Sequence, residues 1–150
     1  MKGIAVFALV FLVLASASCE QMNINPDNEA GRLEGFKQRN PSYLALFTAK
    51  WNADCKANLN TFSLLQNNAI LHHWSVLDAD VGTLDQWNDP TNYAKTDPLY
   101  KVQLLPTIYI ISKGKITMSI IGQQIYDQNL IQQMLTALKN GPPALASASI

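Results

Sequence analysis

Residues 51–56 read Trp-Asn-Ala-Asp-Cys-Lys, and this stretch holds the chemistry that the chain most directly suggests. A cysteine in the first turn of a helix has a thiolate that the helix N-terminus stabilises. Thiol–disulfide exchange needs such a thiolate to attack, and then a second thiol to resolve the mixed disulfide. The usual carrier is a Cys-x-x-Cys pair where a strand runs into a helix. Here Cys55 fills the second place and Asn52 the first. Dithiol exchange is therefore closed to this chain alone, and two roles remain for Cys55. It is either a semi-buried side chain packed as a small hydrophobe, or a single thiol that forms a mixed disulfide with a partner.

The neighbouring residues divide in the same way between structure and chemistry. Asn52 is a good N-cap residue, worth about 1 kcal/mol to the helix, but supplies no nucleophile. Asp54 suits a cap or a first-turn position, and Lys56 a solvated face. Trp87 is expected to pack under the polar connection that holds it, because large aromatics mostly bury. His72 and His73 are adjacent in an expected strand, which would point them to opposite faces and prevent joint chelation. No metal-ligand cluster, phosphate-cradling glycine loop or hydrolase triad is visible in the sequence, and no cofactor is expected.

The elements that position these residues follow from the hydrophobic pattern. A polar lead-in spans residues 22–29, and Leu33 and Phe36 mark a short amphipathic helix within 27–38, stopped before Pro41. Residues 42–49 are apolar without alternation, as in a central strand covered on both faces. A helix capped by Asn52 carries Leu59, Phe62, Leu64 and Leu65 toward Asn67-Asn68. A second buried strand is expected over 70–77, ending at Asp78-Ala-Asp80. A polar connection follows from Gly82 to Asp97, then a helical turn over 98–103. Ile108–Ile111 and Ile116–Ile121 flank Lys113-Gly-Lys115 as a hairpin. A final helix over 128–139 places Leu130, Ile131, Met134, Leu135 and Leu138 on one face. Strand–helix–strand implies a right-handed parallel crossover, and the hairpin adds antiparallel strands. The expected fold is α/β, a central mixed sheet with helices on both faces.

Composition limits the function. A chain of 150 residues, 48% hydrophobic, buries one core. Eleven basic against eleven acidic residues leave no net charge, so nucleic acid is not an expected partner. Met1–Cys19 has the form of a cleaved signal peptide: Lys2, an apolar run from Ile4 to Leu14, and small residues at Ala15-Ser-Ala-Ser18. The run is short against the roughly 20 residues of a membrane span, so no membrane association is expected after cleavage. Cys19 also admits a lipid anchor, although Ser16 stands where bacterial lipoproteins prefer Leu. The expected division is a signal peptide over 1–19, one domain over 20–140 and a disordered tail over 141–150. Two cysteines allow at most one internal disulfide, unlike the cysteine-dense small secreted domains. Asn40 is followed by Pro41, which removes the only candidate glycosylation acceptor.

The chain resembles the thioredoxin superfamily in Phe47-Thr-Ala-Lys-Trp51, in Val76-Leu-Asp-Ala-Asp80 and in Leu105-Pro-Thr107 before a hairpin. A closer likeness is to the thioredoxin domain-containing protein 17 type, which carries a Trp-Cys-Pro-Asp-Cys motif. Asp54-Cys55 matches the end of that motif, and Asp80-Val-Gly82 with Trp87-Asn-Asp-Pro-Thr-Asn92 matches its connection. The resemblance covers roughly residues 30–139 and implies a thioredoxin fold, a cis-Pro106 beside the motif, a groove there shaped by Trp51 and Pro106, and protein-disulfide reduction. It also implies a polypeptide or protein thiol as partner, met by Trp51, Asn52, Ala53, Asp54, Leu105, Pro106 and Thr107. Asn52 stands where the family has its attacking cysteine, and Ala53 where it has proline. The expectation is therefore an exported polypeptide-binding protein with lost or weak disulfide exchange. The alternative is a protein-disulfide oxidoreductase acting as a monothiol through Cys55.

Overall fold

The computed structural model describes residues 19–144. The expected signal peptide, except for Cys19, and positions 145–150 of the expected tail lie outside the described residues. Five strands form one sheet in the order β1-β3-β2-β4-β5. They are β1 (Gln21–Ile24), β2 (Tyr43–Thr48), β3 (Ser75–Asp80), β4 (Thr107–Ser112) and β5 (Lys115–Ile121). β3 pairs in parallel with both β1 and β2, while β2–β4 and β4–β5 are antiparallel. The sheet is thus mixed, as expected.

Tyr43 to Phe47 of β2 are all buried. Successive strand residues point to opposite faces, so both faces of the sheet are covered. The helices are α1 (Arg32–Arg39), α2 (Ala53–Ala57), α3 (Leu59–Leu71), α4 (Leu84–Asn88), α5 (Tyr93–Thr96) and α6 (Gln128–Lys139), of which α1, α3 and α6 pack on the strands. A 3-10 turn, Gly122–Tyr126, links β5 to α6. The α6 stripe buries Ile131, Met134, Leu135 and Leu138. At the hairpin, Lys113 and Gly114 have φ of 53° and 78°, the double left-handed turn that suits the twist of paired strands.

Several expectations are corrected. The polar lead-in contains strand β1, a four-residue edge strand in which only Ile24 is buried. Its hydrophobic pattern is too short to read. The helix expected from 27 begins at Arg32, because Gly31 precedes it with φ 76°.

The strand expected from Ile70 begins at Ser75, because α3 runs on through Asn67-Asn68 to Leu71. Asn68 stays helical by donating its side-chain amide to Leu64 O at 2.8 Å. The helix closes when His73 N–H donates to Ile70 O and Trp74 N–H to Ala69 O, with His73 at φ 72°. This is the helix-terminating turn usually built on glycine. His72 and His73 therefore end a helix and do not alternate across a strand.

In the connection, α4 and α5 fill part of the expected polar loop. Residues 98–100 form a turn, and the helical turn expected over 98–103 does not extend to 101–103.

Candidate functional site

β2 delivers the chain to Ala49, where Asn52 N–H donates to Ala49 O at 3.3 Å and the backbone turns into α2. Asn52 is the N-cap, in extended conformation, and its side chain accepts from Cys55 N at 2.9 Å. Asn58 ends α2 and donates its side-chain amide to Asp54 O at 2.7 Å. This separates the short motif helix from α3.

Cys55 is 2% exposed. Burial is the largest influence on its thiol and pushes the pKa up, partly offset by a backbone hydrogen bond at Ala49. Asp54 and Asp80 nearby push it up further. A raised thiol pKa leaves little thiolate at neutral pH and so a weak nucleophile.

Asp54 does not cap the helix. Its carboxylate accepts from Gln123 Nε2 at 2.7 Å and from Tyr126 OH at 2.8 Å, tying α2 to the 3-10 turn. The Trp51 indole is half-buried and donates to Gly82 O at 2.8 Å. Ala53 and Lys56 are exposed. Trp87 is half-buried, with Lys95 Nζ 4.4 Å above its ring.

The register Phe47↔Thr107 brings the start of β4 to the end of β2, beside the motif. The Leu105–Pro106 bond is cis. Pro106 O accepts from Gly122 N at 2.7 Å, and Thr107 Oγ1 donates to Leu104 O at 2.7 Å. Among the described residues, neither the N–H nor the C=O of Leu105 has a hydrogen-bond partner. The residues named from sequence, 51–55 and 105–107, thus gather at one end of the sheet. Three exposed apolar side chains lie around them. Leu84 follows Gly82 by two positions, Leu104 lies against Gly122, and Tyr126 bonds Asp54.

Sequence reasoning missed Gln123 and Tyr126, and gave no role to Gly82. Gly82 was visible only as part of the Asp80-Val-Gly82 run. The same connection explains Asn92: it is buried, caps α5 and donates to Val81 O and Gln86 O. Asp89 accepts from the backbone N–H and the hydroxyl of Thr91.

The two cysteines lie at opposite ends of the sheet. Cys19 Sγ donates to His73 O, ahead of β3, whereas Cys55 sits at the far end near Asp80. The length of β3 puts more than about 15 Å between them. Among the described residues, no group of three or more His, Cys, Asp or Glu could hold a metal ion. No helix among them is long and apolar enough to cross a membrane.

Comparison with solved structures places this architecture. A thioredoxin from Fasciola hepatica is 23% identical, with a TM-score of 0.52, over 79% of this chain and all of that one. A variant thioredoxin from Halobacterium salinarum is 17% identical, with a TM-score of 0.52, over 84% of this chain and 94% of that one. At these identities the likeness shows the fold, which is thioredoxin-like. No curated protein matches the sequence. The family model for the thioredoxin domain of thioredoxin domain-containing protein 17-like proteins matches residues 42–137, more than half of the chain. The connection, the cis-Pro106 turn and the capped motif helix all fall within that match, and the chain belongs to the thioredoxin domain-containing protein 17-like family.

Proposed function

We propose that this chain is an exported member of its family that binds an extended polypeptide, with disulfide exchange lost or reduced to a single thiol. The observation that carries the reading is Asn52 at the N-cap, its side chain engaged by the Cys55 amide. No second thiol is near to resolve a mixed disulfide, and the remaining thiol is buried with a raised pKa. Binding needs no sulfur. The free backbone groups of Leu105 offer main-chain hydrogen bonds to an added strand, and Trp51, Leu84, Leu104 and Tyr126 offer apolar contacts around it. Export rests on the signal-peptide form of Met1–Cys19.

The test uses two probes with the mature protein. With intact insulin and dithiothreitol, no catalysed reduction is expected. Turnover comparable with a dithiol thioredoxin, lost in Cys55→Ser, rejects the reading. With immobilised carboxymethylated insulin B chain, an extended polypeptide with blocked thiols, retention is expected to survive Cys55→Ser and to weaken in Trp51→Ala. Failure to retain that chain, with reductant-sensitive insulin adducts lost in Cys55→Ser, decides for the monothiol instead.

A further inference from the structure

The connection between β3 and β4 holds a buried side chain that reaches in three directions. Asn92 Nδ2 donates to Val81 O at 2.9 Å and to Gln86 O at 3.0 Å, while Oδ1 accepts from Ala94 N at 3.0 Å. The residue after Val81 is Gly82, whose carbonyl takes the Trp51 indole at 2.8 Å. Gly82 N–H donates to Asp80 Oδ1 at 2.7 Å, and Tyr93 OH to Asp80 O at 2.6 Å. Residues 80–82 are therefore held from one side by Asn92 and Tyr93, and they hold Trp51 on the other.

We propose that Asn92 is the positioning residue for Trp51. Its bond to Val81 O fixes the peptide before Gly82, and its bond to Gln86 O anchors the helix that follows. Together they aim the Gly82 carbonyl that orients the indole at the groove. Capping α5 needs only an acceptor, which Ser or Asp supplies equally well. The donors do a separate task, since they leave α5 and reach carbonyls of two other segments. A buried amide with all three contacts made has one geometry, and losing its donors leaves two carbonyls to find other partners. The groove reading enters only through the consequence that a partner meets a pre-set Trp51.

Hydrogen exchange of the indole N–H tests this without a partner. The chain has three tryptophans, and isotope labelling gives three indole signals, assigned with Trp51→Phe and Trp87→Phe. Trp74, whose indole donates to Leu138 O at 2.8 Å in the core, is the internal standard. Asn92→Ser keeps a capping oxygen and removes the donors. Trp51 exchange is expected to rise about ten-fold or more, with Trp74 within about two-fold. An unchanged Trp51, or equal acceleration of both, overturns the proposal.

If Asn92→Ser does not fold, the unmutated protein decides. Its Trp51 indole should then open together with the Lys95 and Thr96 amides, which donate to Asn92 O, and before Trp74. Independent opening overturns the proposal. Retention of the carboxymethylated B chain should fall about three-fold in Asn92→Ser, a modest loss as expected when a binding wall is no longer pre-set. If the unmutated protein retains no B chain while the exchange result holds, the groove reading fails and the positioning role stands.

Discussion

Asn52 Oδ1 accepts the amide N–H of Cys55 at 2.9 Å, so the side chain at position 52 already faces the turn that carries the sulfur. A thiol placed there would meet Cys55 across one helical turn, with its pKa lowered by the helix N-terminus. Asn52→Cys is expected to form a reversible internal disulfide and to give partial insulin reduction, abolished by adding Cys55→Ser. With both thiols reduced, the same change removes the cap and should cost about 1 kcal/mol in denaturant unfolding. Absence of a reversible disulfide would show that position 52 does not occupy the attacker's place.

Gly82 has φ 95°, and a Cβ built on it would lie 2.2 Å from Gln86 Oε1 and 2.7 Å from Pro26 Cγ. Gly82→Ala combines a left-handed backbone with a close contact, and is expected to destabilise by more than about 1 kcal/mol. Denaturant titration followed by tryptophan fluorescence checks this. Wild-type stability in the variant would contradict the packing of residues 80–82 described above.

Asp78 carries a carboxyl whose pKa burial pushes up, partly offset by a Gln66 hydrogen bond and reinforced by Asp80. A folded pKa above the unfolded one means that folding favours the protonated form. Its contribution is fully present below the unfolded carboxyl range, near about 4, and is lost as pH rises through the folded pKa. Asp78→Asn should therefore raise the unfolding midpoint at pH 7. The gain should shrink as pH falls through the folded pKa and vanish in the acid range. A variant equally stabilised at both ends of the range would assign the effect to packing and not to charge.

The proposed export gives a direct measurement. Mass spectrometry of the secreted protein should find its N-terminus between Ser18 and Gln21. Glu20 favours the earlier part of that window. Its N–H donates to Ser75 Oγ at 2.9 Å, and its carboxylate holds Arg39 and Asn40. A mature chain that retains residues 1–14 would refute the leader.

The elements that could be read from sequence are those with a long repeated pattern. The five-residue apolar run of β2 and the α6 stripe from Leu130 to Leu138 needed nothing beyond their own periodicity. Edge strand β1 buries one side chain and leaves no period to detect. Ile70 and Leu71 looked like a strand because the helix-ending turn uses His73 where glycine is the usual signal. At the site, Asn52, Cys55 and Leu105–Thr107 could be found because they lie in short motifs. The partners of Asp54 could not, since Gln123 and Tyr126 are 69 and 72 positions away along the chain. Only the fold brings them together.

In a chain that keeps Cys19, the separation of the two sulfurs has a practical consequence. No bridge can join Cys19 to Cys55 without dismantling β3, so oxidising one leaves the other's state unchanged. A band that a reducing agent shifts on an electrophoresis gel therefore contains a second molecule, and its mass identifies whether that molecule is another copy or a stranger. Cys19, exposed, answers to any oxidant in solution, whereas Cys55 answers only to what reaches the buried first turn of α2. Two alkylation rates measured on one sample would report on two separate environments.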